Sequence, residues 1–165
     1  MVDFASVLEI SATDFVLLVV FVYVIYRLFF KKSPEPIPSS TVKMVAPMKK
    51  QDMTIQQLKK YNGIDDDHIC FAILGDIYDV TRGRDFYGPG SAYENLAGHD
   101  ATRSLATMDV KAVKEGYDDH SGLTADDLEE AKGWAETLKF KYPIVGRLLK
   151  PGEEPKDYGD EVAKL

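Results

Sequence analysis

From Phe15 to Tyr26 the chain runs through apolar and aromatic residues without interruption, and the same character continues through Leu28, Phe29 and Phe30. A run like this has no stable place on the surface of an acidic chain with formal net charge −7. It has to be covered by protein or by lipid. The uninterrupted part is shorter than the roughly 20 residues of a full bilayer crossing. Ile10 to Thr13 are neutral enough to lengthen it, and Arg27 lies near enough to one end for its long side chain to reach the headgroups. A cleaved signal peptide wants a basic start and a small-residue cleavage site. Here Asp3, Glu9 and Asp14 precede the run and Lys31 and Lys32 follow it. The sequence therefore predicts an uncleaved single-pass helix over residues 14–30, behind a short luminal N-terminus at 1–13. Arg27, Lys31 and Lys32 on its far side place the remainder in the cytosol.

The anchor limits what can fold. Residues 31–51 carry Ser33-Pro34-Glu35-Pro36-Ile37-Pro38-Ser39-Ser40-Thr41 and then Ala46-Pro47, a semi-extended linker without apolar periodicity. Residues 52–150 are left to make one modest domain, and 151–165 form an acidic, polar tail expected to be loose. The negative charge and the lack of any long basic run exclude duplex nucleic acid as a natural partner. Cys70 is the single cysteine, so no intramolecular disulfide forms, and its apolar neighbours make it a buried structural thiol.

Within the domain the local signals are those of a small α+β fold. Thr54 with Gln57 has capping-box spacing, with Leu58 and Tyr61 on one apolar face. Ile69 to Leu74 and Ile77 to Val80 read as two short strands about a tight turn. Short helices are expected from Ser91 and Asp100, and another over Val110 to Val113. Thr124 with Asp127 repeats the capping pattern ahead of Leu128, Ala131, Ala135 and Leu138 at helical spacing, with Trp134 on the same helix. Phe140 to Leu149 holds a last strand.

The chemistry concentrates in Phe86-Tyr87-Gly88-Pro89-Gly90-Ser91-Ala92-Tyr93, closed by Leu96-Ala97-Gly98-His99-Asp100-Ala101-Thr102. Two tyrosines six residues apart flank a Gly-Pro-Gly turn. Coordination to a ferric ion removes the phenol proton, and tyrosinate is a known proximal ligand of haem. Aromatics that merely pack a core or line a loop would give the same local pattern. His68, His99 and His120 are the rival ligands, and each lies in a polar loop where a surface imidazole is expected. One cysteine cannot build a zinc site, and Asp65-Asp66-Asp67 lacks EF-hand spacing. Asp118-Asp119 and Asp126-Asp127 read as solvated charges. No Walker, nucleophile-elbow or dinucleotide fingerprint is present, so the chain does not read as an enzyme.

Ala72-Ile73-Leu74-Gly75-Asp76-Ile77-Tyr78-Asp79-Val80-Thr81, Phe86-Tyr87-Gly88-Pro89, Ala97-Gly98-His99-Asp100-Ala101, Ser104-Leu105-Ala106-Thr107 and Tyr117-Asp118-Asp119 occur in this order. Phe140-Lys141-Tyr142, Val145-Gly146-Arg147-Leu148-Leu149 and Gly152-Glu153-Glu154-Pro155 follow. Together they closely resemble the membrane-associated progesterone receptor component family, a branch of the cytochrome b5-like haem/steroid-binding domains, over roughly Met53 to Tyr158. The resemblance implies a cytochrome b5-like domain behind the single N-terminal transmembrane helix. It implies haem b held five-coordinate and ferric by one tyrosinate instead of two histidines. The axial tyrosine falls on Tyr93 and its hydrogen-bonding partner on Tyr87. A Lys-Tyr pair lining the haem pocket falls on Lys141 and Tyr142.

The family further implies anchoring in the endoplasmic reticulum, binding to cytochrome P-450 enzymes and support of sterol and steroid metabolism. A steroid-binding membrane receptor or signalling protein, with haem incidental, is the alternative it offers. The family also implies a homodimer formed through stacked haems. This chain departs from the pattern at Gly90-Ser91-Ala92 and Glu94-Asn95, where Glu94 adds a charge that bears on haem affinity and on that stacking.

Overall fold

The computed structural model of the chain describes residues 12–29 and 45–165. They fall into two compact units, which divide at Met44. The first contains one helix, α1, Ala12–Phe29. Its side chains from Val16 to Tyr23 are each exposed by half or more. At 18 residues and 1.5 Å per residue it is about 27 Å long. No helix among the described residues is long and apolar enough to cross a membrane. Residues 1–11 of the expected luminal stretch and 31–44 of the expected linker lie outside the described residues, while Ala12 and Thr13 belong to α1.

The second unit is built on a three-stranded antiparallel sheet in the order β1 (Cys70–Ile73), β2 (Asp76–Asp79), β3 (Ile144–Arg147). β1 and β2 form the expected hairpin, with Phe71 opposite Tyr78 and Ile73 opposite Asp76. The turn is made by Leu74 and Gly75, both at positive φ (50° and 89°), as a two-residue hairpin turn requires. Leucine is disfavoured there. The Leu74 N–H is held by the Thr102 hydroxyl at 2.8 Å.

Every residue of β1 is buried, on both faces of the sheet. That explains the unbroken apolar run in place of an alternating one. The pleat sends Cys70, Ala72 and Ile77 to one side, where they meet Met48, Met53, Ile55, Leu58, Val145, Leu148 and Ala163. It sends Phe71, Ile73, Tyr78 and Val80 to the other, against Leu96, Ala97, Ala101 and Leu138. The free edge of β1 is covered by the strand-like segment at His99–Ala101. Ala72 N–H donates to the His99 carbonyl (2.9 Å), and Ala101 N–H donates to the Ala72 carbonyl (2.8 Å). An edge so paired is closed to further strands.

Helices α2 (Ile55–Leu58) and α5 (Ala125–Lys139) begin at the two capping boxes, with Thr54–Gln57 and Thr124–Asp127 each bonded reciprocally. Between them lie α3 (Arg84–Tyr87), a 3₁₀ turn at Glu94–Leu96, and α4 (Thr102–Thr107), which packs on α5.

Two expectations are corrected. Val110 to Val113 form no helix. The Asp109 carboxylate takes the Lys111 N–H and its carbonyl takes the Ala112 N–H, so side chain and turn outcompete helical bonding. The acidic tail is not loose. Lys50 N–H donates to the Glu161 carbonyl, Ala163 N–H donates to the Met48 carbonyl, and Ala163 is buried. Asp52 gathers three donors, the amides of Arg147 and Lys156 and the hydroxyl of Tyr158. The compact unit accordingly runs Val45–Leu165.

Candidate functional site

Both faces of the sheet carry apolar cores with tyrosines at their borders, Tyr61 and Tyr117 on the Cys70–Ala72 face and Tyr87 and Tyr142 on the Phe71–Tyr78 face, and on the latter the phenols meet one another. Tyr87 closes α3 with its ring edge-on to Phe71, centroids 5.1 Å apart. It also meets Tyr93 and Tyr142, each at 6.2 Å between centroids. Tyr87 and Tyr142 are partly buried against the cluster that holds Ile69, Phe71, Leu96 and Leu138, whereas Tyr93 is 42% exposed. Three of the four site residues expected from the sequence thus come together. Lys141 is exposed beside Tyr142, at the turn that leads from α5 into β3.

The backbone makes this possible in two places. Pro89 and Gly90 are the central residues of a β-turn closed by Ser91 N–H to the Gly88 carbonyl (3.1 Å). Gly90 has φ +82°, the type II signature in which only glycine is unstrained. The Tyr93 N–H then donates to the Phe86 carbonyl at 3.0 Å and brings the second tyrosine back onto the first. At Gly83 a Cβ would lie 2.6 Å from the Tyr142 hydroxyl and 3.0 Å from the Tyr87 ring. The two phenols close over a gap that any other residue would fill.

Electrostatics separates the roles. Burial, followed by the neighbouring Tyr142 and Tyr93, pushes the Tyr87 phenol up to about 12. Tyr87 therefore keeps its proton at any physiological pH and remains a hydrogen-bond donor. Burial also raises Tyr142. Of the three phenols in contact, Tyr93 is the one open to solvent and to a ligand.

The histidines are not the exposed loop residues the sequence led one to expect. His68 is held on both ring nitrogens, by Asp66 at 2.8 Å and the Ala46 carbonyl at 3.0 Å. His99 pairs Nδ1 with the Ala97 carbonyl at 2.9 Å. His120 pairs Nε2 with Asp100 at 2.8 Å. Asp118 is likewise buried, not solvated, and takes a two-pronged bond from Arg103 together with one from Lys114. Ligation through His68 would break a contact, since both its ring nitrogens are engaged, whereas His99 and His120 each hold a hydrogen bond on one ring nitrogen. The donor set fits a haem held through tyrosine. Among the described residues no cluster of His, Cys, Asp and Glu could hold a metal ion.

Sequence reading missed Phe71 and Gly83 as parts of this wall. Phe71 looked like an ordinary strand residue, and its face is set only when the hairpin register is known. The close approach at Gly83 has no local sequence signal.

The family model of the cytochrome b5-like heme/steroid binding domain matches residues 54–148. Protein vem-1 of Caenorhabditis elegans is 48% identical over 158 residues, 96% of this chain and 85% of that protein. Human membrane-associated progesterone receptor component 2 is 47% identical over 116 residues, 69% of this chain. The match spans about half (52%) of that relative. The cytochrome P450 regulator dap1 of Schizosaccharomyces pombe is 38% identical over 109 residues, 62% of this chain and 66% of that protein. A solved Arabidopsis thaliana structure described as having a cytochrome b5 like fold superposes with TM-score 0.53. It is 36% identical and covers 60% of this chain and 91% of its own. The relatives' names are those of receptor components and regulators, not enzymes. With the fold, the tyrosine wall and these matches in agreement, the chain belongs to the membrane-associated progesterone receptor component family, built on a cytochrome b5-like domain.

Proposed function

We propose that this protein is a membrane-anchored haem-binding adaptor that supports cytochrome P-450 enzymes of the endoplasmic reticulum, with ferric haem b held five-coordinate through the Tyr93 phenolate. The observation that carries the reading is the contact of an exposed tyrosine with a partly buried one. Tyr93 is accessible, and Tyr87 beside it is held protonated by burial. In this reading Tyr93 binds the iron and Tyr87 donates its proton to the Tyr93 oxygen. Tyr142 and Lys141 would line the pocket, the exposed Lys141 ammonium being available to an anionic group of the ligand. Phe71, Leu96 and Leu138 exclude water behind the phenols. Bound haem would supply a ferric centre stabilised by anionic ligation, which suits haem retention and partner support better than rapid electron shuttling.

This reading takes α1 as the anchor. Its apolar side chains from Val16 to Tyr23 are exposed around the whole helix, the surface that lipid covers. A span of about 27 Å is accommodated by modest local thinning of a bilayer whose core is about 30 Å. The residues ahead of α1 are then luminal, and the linker behind it and the Val45–Leu165 domain cytosolic. Confinement to one membrane raises the effective concentration of partner enzymes without strong contacts, and the net charge of −7 complements basic docking faces. The dap1 relative, by its name a P450 regulator, supports this choice of partner. The human relative's name supports the second reading, a steroid held against the same apolar wall by the Tyr87 and Tyr142 hydroxyls.

Haem titration of the full chain in detergent tests the proposal. The wild type is expected to give a five-coordinate high-spin ferric spectrum that Tyr93→Phe abolishes and that His99→Ala and His120→Ala leave in place. A spectrum unchanged by Tyr93→Phe would overturn the ligand assignment. Saturable steroid binding without haem uptake would favour the second reading.

A further inference from the structure

The turn between the two phenols carries an interaction that neither family membership nor ligand assignment requires. In the Gly88–Ser91 turn the closing bond uses the Ser91 amide, and the Ser91 hydroxyl reinforces the Gly88 carbonyl at 2.5 Å. The central amide, Gly90 N–H, takes no part in that ring and is exposed, free to bond to water or to a side chain. Glu94 supplies the acceptor: its Oε2 lies 2.6 Å from the Gly90 nitrogen, a short charge-assisted bond. Glu94 itself sits at the first position of the 3₁₀ turn that follows Tyr93, and its own amide donates to the Ser91 carbonyl (3.3 Å). Carboxylate and amide of one residue therefore tie both ends of the stretch that bears Tyr93.

We propose that Glu94 is a positioning residue, whose carboxylate clamps the Gly88–Ser91 turn through Gly90 N–H and so fixes Tyr93 against Tyr87. The proposal rests on the haem-adaptor reading for its consequence, since the tyrosine so held is the one assigned to iron. Glu94 is exposed, so its removal opens no core. Without the clamp the Pro-Gly turn keeps its ring, but Tyr93 samples positions away from the Tyr87 hydroxyl. A bound haem then loses its ligand more often.

The test uses full-length protein in detergent, as wild type, Glu94→Ala, Glu94→Gln and Tyr93→Phe. In the haem-free protein, amide hydrogen exchange at Gly90 is expected to speed up about tenfold in Glu94→Ala, the scale of one lost charge-assisted bond. Glu94→Gln, which keeps an acceptor oxygen, is expected to restore most of the protection. In the haem-loaded protein, transfer of haem to apomyoglobin is expected to be about tenfold faster for Glu94→Ala and near wild type for Glu94→Gln. The thermal midpoint of the haem-free protein should fall by no more than the few degrees that one lost bond of this size costs. Wild-type rates in Glu94→Ala would overturn the proposal. Equal losses in Glu94→Ala and Glu94→Gln would overturn it in favour of a pure charge effect, and a midpoint lowered well beyond those few degrees would overturn it in favour of general loosening. Tyr93→Phe separates the two claims. If it leaves haem binding intact, the ligand assignment fails while the Gly90 exchange result still reports on the clamp.

Discussion

Tyr87 and Tyr93 are chemically identical side chains that differ in exposure, and the proposed haem site would give them opposite tasks. Burial and two neighbouring phenols hold Tyr87 protonated, up to about 12, while Tyr93 faces outward. Tyr87→Phe keeps the edge-on packing on Phe71 and removes only the donor. A hydrogen bond to an ionised oxygen contributes about 1.5–3 kcal/mol. The variant is therefore expected to bind ferric haem roughly 10- to 100-fold more weakly, by titration, with the haem-free thermal midpoint unchanged. Affinity equal to wild type would show that Tyr87 does not donate to the ligand. The tyrosines were legible in sequence because they flank a turn with strong local chemistry. The histidines were not. His68, His99 and His120 sit among polar residues that suggest solvent, yet each ring is secured by a carboxylate or a carbonyl. Those partners come from the fold or from turn geometry, which residue type alone does not display.

At the scale of elements, the parts with self-contained signals were readable. The capping boxes at Thr54 and Thr124, the helical spacing of α5 and the β1–β2 hairpin all depend on residues within a few positions of one another. The missing helix at Val110 to Val113 shows the limit, because apolar spacing there is overruled by Asp109 bonding to its own following turn. Helix α5 carries a built-in weakness in Gly133, beside which a Cβ would meet nothing within 4 Å. Gly133→Ala is therefore expected to stabilise the domain by about 1 kcal/mol through helix propensity alone. Urea unfolding checks this: a higher midpoint with an unchanged slope is the expected result, and a lower midpoint would contradict it.

At the scale of the molecule, long-range closure was the least legible layer. The tail looked loose because its composition is polar, and nothing local announces that Asp52 will collect Tyr158 and Lys156 or that Ala163 will enter the core. The same holds for the charge network joining α4 to the 109–123 segment. Burial works to raise the Asp118 pKa, but the bonds from Arg103 and Lys114 and from the His120 amide outweigh it and hold the carboxyl well below its usual range. A depressed folded value means that the unfolded state binds the proton more tightly. The network's stabilisation is thus present above about pH 4, the ordinary carboxylate value, and is lost as pH falls through the folded one.

His120 has the opposite sign. Its bond to Asp100 leads the effects that raise its pKa, reinforced by the charges of Asp100 and Asp118 and opposed by burial and by Arg103. Its contribution is complete below about pH 6.5 and fades as pH rises through the folded value. Unfolding midpoints measured from pH 2 to 9 should therefore fall steeply on the acid side and gently on the basic side. Asp118→Asn, by leaving Arg103 short of its buried partner, is expected to remove about 3 kcal/mol at neutral pH and to flatten the acid limb. An acid limb that survives Asp118→Asn would place the responsible carboxylate elsewhere.

The account turns on a phenolate of this chain reaching iron. Resonance Raman spectroscopy of the full-length ferric protein, grown with unlabelled or ring-deuterated tyrosine, tests it most directly. Phenolate ligand modes that shift with ring deuteration and vanish in Tyr93→Phe are the predicted result. Ligand modes insensitive to tyrosine labelling, or persisting without the Tyr93 hydroxyl, would contradict it.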